Sequence, residues 1–356
     1  MTAALLAVVL FFTVEVSAIS AQSGILMDAQ TGRILYEKNA DQQCLIASTT
    51  KIMTALVVCE RCNVLDRVKI PKEAVGVEGS SMYLQEGEIL TVQDLLYGMM
   101  LRSGNDAATA LAIYCGGTVE GFAELMNDKA RSLKLTGTHF TNPHGLDAPG
   151  HYSTARDLAV LAAYAMENPI FAQTVGTKQV TVGTRSLTNH NKLLWNVDGA
   201  EGVKTGYTKK AGRILVSSAS RQGRRLIAVT INAPDDWNDH KVLLNSGFED
   251  YSVSRIIERG EIIGSVEVAG GSAGEVELIA DDDFDYALCA GEKPSIKIAG
   301  CGFLYAPVVE GDDAGYVYVM LNEKCIGKIP LVYGSTVEIE KTKENGSWLK
   351  RLFGGR

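Results

Sequence analysis

Two short apolar runs, Gly24-Ile25-Leu26-Met27-Asp28 and Arg33-Ile34-Leu35-Tyr36-Glu37, flank a Thr31-Gly32 turn and predict a β-hairpin. The period then lengthens to that of helices. Ser48 to Cys59 lacks Gly and Pro and carries Ile52, Met53, Leu56 and Val57 at helical spacing. Thr91 to Leu101 repeats the pattern with Leu95, Leu96, Met99 and Met100 behind a Thr-x-x-Asp start, which favours a capped N-terminus. Ala107 to Tyr114 and Arg156 to Met166, rich in Ala and Leu, extend the helical middle. β-suited runs return at Gly202 to Thr208, Arg213 to Ser218 and Arg225 to Asn232, before a helical stretch from Trp237 to Tyr251. Strands at both ends of a helical middle predict one α/β domain of about 230 residues whose terminal segments share an antiparallel sheet.

Beyond Arg255 the texture changes to Gly-punctuated short strands: Glu261 to Val268, Glu275 to Ile279, Ser295 to Ile298, Tyr316 to Met320, Lys328 to Leu331 and Val337 to Glu340. This is the pattern of a small all-β domain. Asp281, Asp282, Asp283 and Asp285 lack the alternating ligand spacing and Gly of a calcium loop and read as a solvated hairpin tip.

The two ends carry signals of a different kind. Ala3 to Phe12 is an apolar run too short to span a bilayer comfortably, followed by Val16-Ser17-Ala18 and Ile19-Ser20-Ala21, so residues 1–21 read as a signal peptide cleaved after Ala18 or Ala21. No Lys or Arg precedes that run. At the other end, Trp348, Leu349, Leu352 and Phe353 fall on one helical face with Lys350 and Arg351 elsewhere. Residues 342–356 therefore read as a short amphipathic tail able to make weak peripheral contact with a membrane surface.

With 356 residues, 46% of them hydrophobic, the chain is too long for one ordinary core and too apolar to be disordered. The net charge of −8, with no long basic block, disfavours nucleic acid as a partner. Seven cysteines, at 44, 59, 62, 115, 289, 301 and 325, have neither the spacing of a zinc site nor the density of a disulfide-stapled domain. Cys59-x-x-Cys62 closes the Ser48 helix, where a thioredoxin-type site would begin one, so free or locally bridged thiols are expected there. One bridge among Cys289, Cys301 and Cys325 is compatible with the β domain.

Three short motifs suggest chemistry. Ser48-Thr49-Thr50-Lys51 puts a hydroxyl and an amine on one face at the start of a predicted helix, within hydrogen-bond reach. The helix N-terminus would favour a developing oxyanion and help keep Lys51 neutral. Taken alone, such a pair reads as an N-cap serine beside a surface lysine. Ser103-Gly104-Asn105 lies between two predicted helices, on a loop that can hold a hydroxyl and an amide toward a cleft. Lys204-Thr205-Gly206 opens a predicted strand. It is not a nucleotide loop, because Val203 stands where the phosphate-binding Gly would be and no helix follows. An edge strand offering an ammonium and a hydroxyl to a carboxylate-bearing substrate fits instead, with Gly206 leaving room for its backbone.

These motifs, in this order, resemble the penicillin-recognising serine enzymes, and among them the D-alanyl-D-alanine carboxypeptidases of the low-molecular-mass penicillin-binding protein type. The resemblance extends through Ile46 to Lys51, Leu101 to Asp106, Asn142 to Asp147, Asn189 to Leu194 and Asp198 to Tyr207, and covers nearly the whole chain. It implies an α/β transpeptidase-like domain, similar to serine β-lactamases, with an antiparallel sheet and a helical subdomain at 22–253, and a β-rich domain at 254–341. By the same resemblance Ser48 is the acylated nucleophile, Lys51 its general base and Ser103 a proton relay. Asn105 would bind the substrate's peptide amide, Lys204 supply positive potential and Thr205 hold the terminal carboxylate, while the backbone N–H groups of Ser48 and Tyr207 form an oxyanion hole.

The implied substrate is a peptidoglycan stem peptide ending in D-Ala-D-Ala, with β-lactams as covalent inhibitors, no cofactor or metal, and a place outside the cytoplasm at the cell wall or the outer face of the cytoplasmic membrane. None of the five histidines is expected to be catalytic; His144, His151 and His190 read as structural. A serine β-lactamase would need a water-activating Glu four before an Asn. Between Ser103 and Lys204, the residues four after Glu120, Glu124 and Glu167 are Glu124, Asp128 and Phe171. A wall-binding module with a decayed site would have lost a motif residue, and all six with reactive side chains are present. Endopeptidase action on cross-links uses the same residues and stays open.

Overall fold

A computed structural model describes residues 19–300 and 302–341, so most of the predicted signal peptide, Cys301 and the predicted amphipathic tail lie outside the described residues. The chain divides into two units with the break between Tyr251 and Ser252.

In the first unit β1 (Ser23–Asp28) and β2 (Ile34–Lys38) form the expected hairpin, and α1 (Lys51–Arg61) follows. Strand β3 (Arg67–Lys69) pairs with β4 (Ile89–Thr91), which leads into α2 (Val92–Leu101), α3 (Asn105–Gly116), α4 (Val119–Ser132), α5 (Ala155–Met166) and α6 (Pro169–Gly176). A small hairpin of β5 (Gln179–Val182) and β6 (Arg185–Thr188) and the single turn α7 (Leu193–Asn196) precede β7 (Ala200–Thr208), β8 (Gly212–Arg221), β9 (Arg224–Ile231) and α8 (Asp236–Glu249).

The main sheet is antiparallel in the order β2-β1-β9-β8-β7, which brings the two ends of the unit together as expected. Its central strands read as continuous apolar runs because both faces are covered. Ile25, Met27, Ile227, Val229 and Ile231 enter the large core shared with the helices, whereas the alternate residues Leu26 and Leu226 meet Gly247 of α8. On the α8 face His240 is fully buried between the hydroxyls of Ser217, at 2.6 Å, and Thr230, at 2.9 Å, which accounts for this histidine structurally.

Several expectations need correction. The Ser48 helix does not begin as an α-helix: Ala47–Thr50 is a 3-10 turn entered through the left-handed Ala47, and α1 starts at Lys51. Lys204 lies in the middle of β7, not at its start, although β7 is a sheet edge. Helix α4 has no counterpart in the hydrophobic pattern because most of its surface is polar, yet Phe122, Met126 and Ala130 make a buried stripe at four-residue spacing behind a Thr118 cap. The Thr91 capping box predicted for α2 is present in full.

The second unit holds β10 (Tyr251–Ile257), β11 (Ile262–Ala269), β12 (Glu275–Ala280), β13 (Phe284–Cys289), β14 (Ser295–Ala299), β15 (Phe303–Tyr305), β16 (Asp313–Leu321) and β17 (Lys324–Tyr333). Six of these form one sheet in the order β14-β16-β17-β12-β11-β15, and β10 pairs with β13. Val266, Val276, Val317, Val319 and Leu331 are among the residues of its core. Residues 337–340 make only isolated bridges, from Val337 to Val308 and from Ile339 to Gly271, rather than the strand expected there. Of the four aspartates expected at a solvated tip, Asp282 is exposed, while Asp281 pairs with Arg259, and Asp283 and Asp285 with Arg255. Asp285 belongs to β13 itself. No helix among the described residues is long and apolar enough to cross a membrane.

One buried ion pair ties the first unit's hairpin to its last helix. Asp28, fully buried, accepts from Arg224 Nε at 2.7 Å, and Arg224 Nη1 donates to the carbonyls of Gly247 and Tyr251. Arg224→Leu leaves the Asp28 carboxylate without its cation and should destabilise the first unit by about 3–5 kcal/mol in urea unfolding. A loss below about 1 kcal/mol would show that the hydrogen bonds from Thr31 to Asp28 suffice alone.

Candidate active site

A cleft of about 750 Å³ opens along the β7 edge, with Ser48, Ser103, Thr205, Gly206 and Tyr207 in its wall. The close approach of β7 to the 3-10 turn depends on Gly206. A Cβ there would lie 3.3 Å from Ile46 O and from the backbone nitrogens of Ser48 and Thr49. Any side chain would push the strand and the turn apart.

Behind the cleft Lys51 is completely buried. Its Nζ lies 3.0 Å from Ser48 Oγ, 2.7 Å from Asn105 Oδ1 and 2.7 Å from the His144 carbonyl oxygen. The last two atoms can only accept hydrogen bonds. A neutral amine has two hydrogens and one lone pair, so with both hydrogens donated to these oxygens the lone pair is left for the Ser48 hydroxyl hydrogen. Burial holds the Lys51 pKa well below its ordinary value, and the nearby Lys204 charge lowers it further against the opposing pull of Asp106. The cause expected from sequence, a helix dipole, is replaced by desolvation and a second lysine.

Three loops fix this geometry. Ser103 connects α2 to α3 with a positive φ of 62°, which turns its side chain to the cleft, and Asn105 is the first residue of α3. Asn105 Nδ2 donates to the Glu78 carbonyl, so its amide is engaged on both sides behind the cleft wall rather than exposed in it. Asp106 receives Ser81 Oγ at 2.6 Å and the backbone nitrogens of Met82 and Leu84, which pins segment 80–84 over the start of α3. Ser80, which no motif marks, lines the cleft from this segment. In the sequence the segment is recognisable only through the acidic residue that follows Asn105.

The loop at 142–147 supplies the His144 carbonyl. Asn142 Oδ1 accepts from Gly145 N at 2.7 Å, and Asn142 Nδ2 donates to the Leu146 carbonyl, which closes the loop on itself. Thr54 Oγ1 donates to the Pro143 carbonyl, and His151 bonds Thr50 Oγ1 through Nε2 at 2.7 Å. Because His151 Nδ1 accepts from Thr141 N, its Nε2 carries the hydrogen and donates to Thr50. Burial lowers the pKa of His144 to about 3 and of His151 to about 4, so both are neutral and structural.

Lys204 is also buried, and its Nζ donates to the Thr205 carbonyl at 2.9 Å. Desolvation brings its pKa down to about 7. Elsewhere in the cleft wall, Asn189 and Asn191 shape the turn that presents His190, Lys192 and Trp195, and His190 N donates to the Leu101 carbonyl just before Ser103. Arg213, paired with Tyr207 across β7 and β8, reaches the same cleft and is held by Asp236 at 2.7 Å. No cluster of His, Cys, Asp and Glu able to hold a metal ion occurs among the described residues.

Comparison with known proteins matches residues 11–235 to the family described as D-alanyl-D-alanine carboxypeptidase. The chain belongs to this family. Residues 251–339 match the C-terminal domain of penicillin-binding protein 5. Among family members, the D-alanyl-D-alanine carboxypeptidase DacC of Escherichia coli is 36% identical over 92% of this chain and 86% of its own length. DacF of Bacillus subtilis is 31% identical over 94% and 89%. The crystal structure of penicillin-binding protein 5 from Haemophilus influenzae superposes with a TM-score of 0.79 at 33% identity, covering 90% of this chain and 98% of that one. The family fold thus carries the cleft described above.

Gly145 tests how tightly the Lys51 cage is built. Its φ is +86°, and a Cβ would stand 1.8 Å from the Ala47 carbonyl oxygen. Gly145→Ala should therefore lower stability by more than about 2 kcal/mol, measured by urea unfolding, and slow any acylation of Ser48 through the displaced His144 carbonyl. Unchanged stability would mean that the loop and the 3-10 turn can separate freely.

Proposed function

We propose that this chain removes the terminal D-Ala from peptidoglycan stem peptides through an acyl-enzyme on Ser48. The single observation that carries the reading is the buried Lys51 amine, whose hydrogens are taken by Asn105 and His144 and whose lone pair is left to Ser48. Ser48 Oγ attacks the carbonyl carbon of the penultimate D-Ala while its proton passes to Lys51 Nζ. The oxyanion is received by the backbone N–H groups of Ser48 and Tyr207. Collapse breaks the C–N bond, and the departing amine takes a proton through Ser103 Oγ. Water then attacks the ester, returns a proton to the site and frees Ser48. Thr205, with Lys204 and Arg213 nearby, receives the terminal carboxylate, and Asn105 acts mainly by orienting Lys51.

In this proposal the catalytic domain assigned to 22–253 gains residues 19–21, while the β-rich domain at 254–341 and the weak membrane contact at 342–356 stay as assigned from sequence. Export is followed by cleavage after Ala18 rather than Ala21. Ile19 and Ala21 are buried, and Ser20 is bonded through its backbone N and Oγ to Asp239, so the folded unit uses these residues. A β-lactam would acylate Ser48 in the same way. Endopeptidase action on cross-links remains the second reading of the same cleft, and an assay on cross-linked wall fragments separates it.

Ser48→Ala should abolish both D-Ala release and covalent penicillin labelling, a loss of at least about 10³-fold, with the fold intact by circular dichroism. Lys51→Arg keeps a charge but cannot accept a proton at neutral pH, so acylation should collapse too. Labelling at the normal rate in either variant would remove that residue from its role.

The two lysines predict the pH profile. Lys51 accepts a proton only when neutral, so acylation climbs as pH rises through its depressed pKa and then levels. Lys204 loses its charge as pH rises through about 7, so kcat/KM for a peptide with a free terminal carboxylate should fall above that point. A substrate whose terminal carboxyl is esterified should lack the falling limb; an equal fall for both would assign the limb to another group.

Among the described residues lining the cleft, the one carboxylate is Asp236, and its Oδ1 accepts from Arg213. No free carboxylate there can activate water on a penicilloyl ester. The adduct, followed by mass spectrometry after drug removal, should outlast many peptide turnovers. Its disappearance within one turnover would favour a β-lactamase.

A further inference from the structure

Three thiols gather at the ends of α1 and α3 that lie away from the cleft. Cys59 is in the last turn of α1, Cys62 directly follows that helix, and Cys115 is in the last turn of α3. The two helices pack together. Their first residues, Lys51 and Asn105, are joined by the 2.7 Å hydrogen bond of the cleft. Their far ends meet again, where Tyr114 Oη donates to Asp66 Oδ2 at 2.9 Å and the Cys62 and Cys115 thiols are interacting neighbours. The helices therefore run side by side in one direction for roughly 17 Å.

All three thiols are free and partly exposed. Cys62 has left the helical path, with φ −116° and ψ 146°, so its spacing of three from Cys59 does not place the two on one helical ridge. Its side chain instead meets α3. We propose that Cys62 and Cys115 form a dithiol that a disulfide oxidant closes into an intramolecular bridge, stapling α1 to α3 at the ends remote from the reacting groups.

The chemistry divides between the partners. The neighbouring Cys62 thiol, together with the Arg61 charge, holds the Cys115 thiol below its ordinary pKa. Cys115 thiolate attacks one sulfur of the oxidant R–S–S–R, forming a mixed disulfide and releasing one R–S⁻, which takes up the proton Cys115 gave up. Cys62, deprotonated in turn, attacks Cys115 Sγ and expels the second R–S⁻, which is protonated to R–SH. Two protein thiols are oxidised by two electrons and one oxidant disulfide is reduced to two thiols. Cys62 is itself held above its ordinary pKa, first of all by its Cys115 neighbour, a restraint that ends once Cys115 is in the mixed disulfide; Cys59, pushed up to about 12 chiefly by burial, keeps its restraint and does not compete.

The test uses the full chain, reduced, desalted and exposed to oxidised glutathione at pH 8. Peptide mapping without reductant should recover Cys62 linked to Cys115. The thermal midpoint of the oxidised protein should rise by about 5 °C or more over the reduced form, because closing the intervening loop constrains the unfolded chain. Cys62→Ser and Cys115→Ser should each lose both the linked peptide and the rise, whereas Cys59→Ser keeps both. Penicillin labelling rates should match between the oxidised and reduced forms. Linkage through Cys59, glutathione adducts without closure, or a bridge with no thermal gain would each overturn the proposal. Mapping separates any bridge formed by the cysteines of the second unit.

Discussion

The first unit is organised around a lysine amine that water does not reach. Lys51 has two neighbours that can only accept, Asn105 Oδ1 and the His144 carbonyl, and one hydroxyl, that of Ser48. In the charged form the amine would give all three hydrogens away and have no basic electron pair. In the neutral form the same neighbours determine where the lone pair points. Burial selects the neutral form, because an ammonium stripped of water is costly and one opposing carboxylate, Asp106, does not offset that cost. The interior thus makes a base from a group that would be inert as one at the surface.

Holding such a group requires the surrounding backbone to be fixed as well, and the rest of the unit supplies this. The His144 carbonyl is useful only if its loop cannot drift, hence the Asn142 bonds within the loop, the Thr54 bond to Pro143 and the absence of a Cβ at Gly145. Asn105 is useful only if its amide cannot flip, and the Glu78 carbonyl accepts from its Nδ2. Asp106 then fastens the segment that follows Glu78. Each contact is an ordinary hydrogen bond; together they leave Lys51 one arrangement.

Much of this was legible in the sequence where local rules decide. Spacing alone brought Ser48 within reach of Lys51, the Thr91 box started α2, and the alternation of turns and apolar runs located β7, β8 and β9. What escaped depends on partners distant in the chain. The 3-10 turn at Ser48 is packed closely against β7 at Gly206, a tertiary contact with no local signature. The resemblance assigned Asn105 to the substrate's peptide amide, and only the positions of Lys51 and Glu78 show that its side chain is also engaged within the protein. Helix α4 and strand β13 were missed because a polar majority hid a sparse buried stripe in one and an acidic run masked the other.

The second lysine shows why the site needs more than one buried cation. The Lys204 charge makes the Lys51 charge harder to keep, on top of the burial that disfavours both ammonium forms. Lys204, near neutrality at about 7, is the one whose charge an incoming anion can settle. A substrate carboxylate arriving at Thr205 would favour protonated Lys204, and that charge in turn presses Lys51 toward its neutral, basic form. In the proposed reaction, recognition of the substrate's terminus and activation of Ser48 are therefore coupled electrostatically through two buried amines.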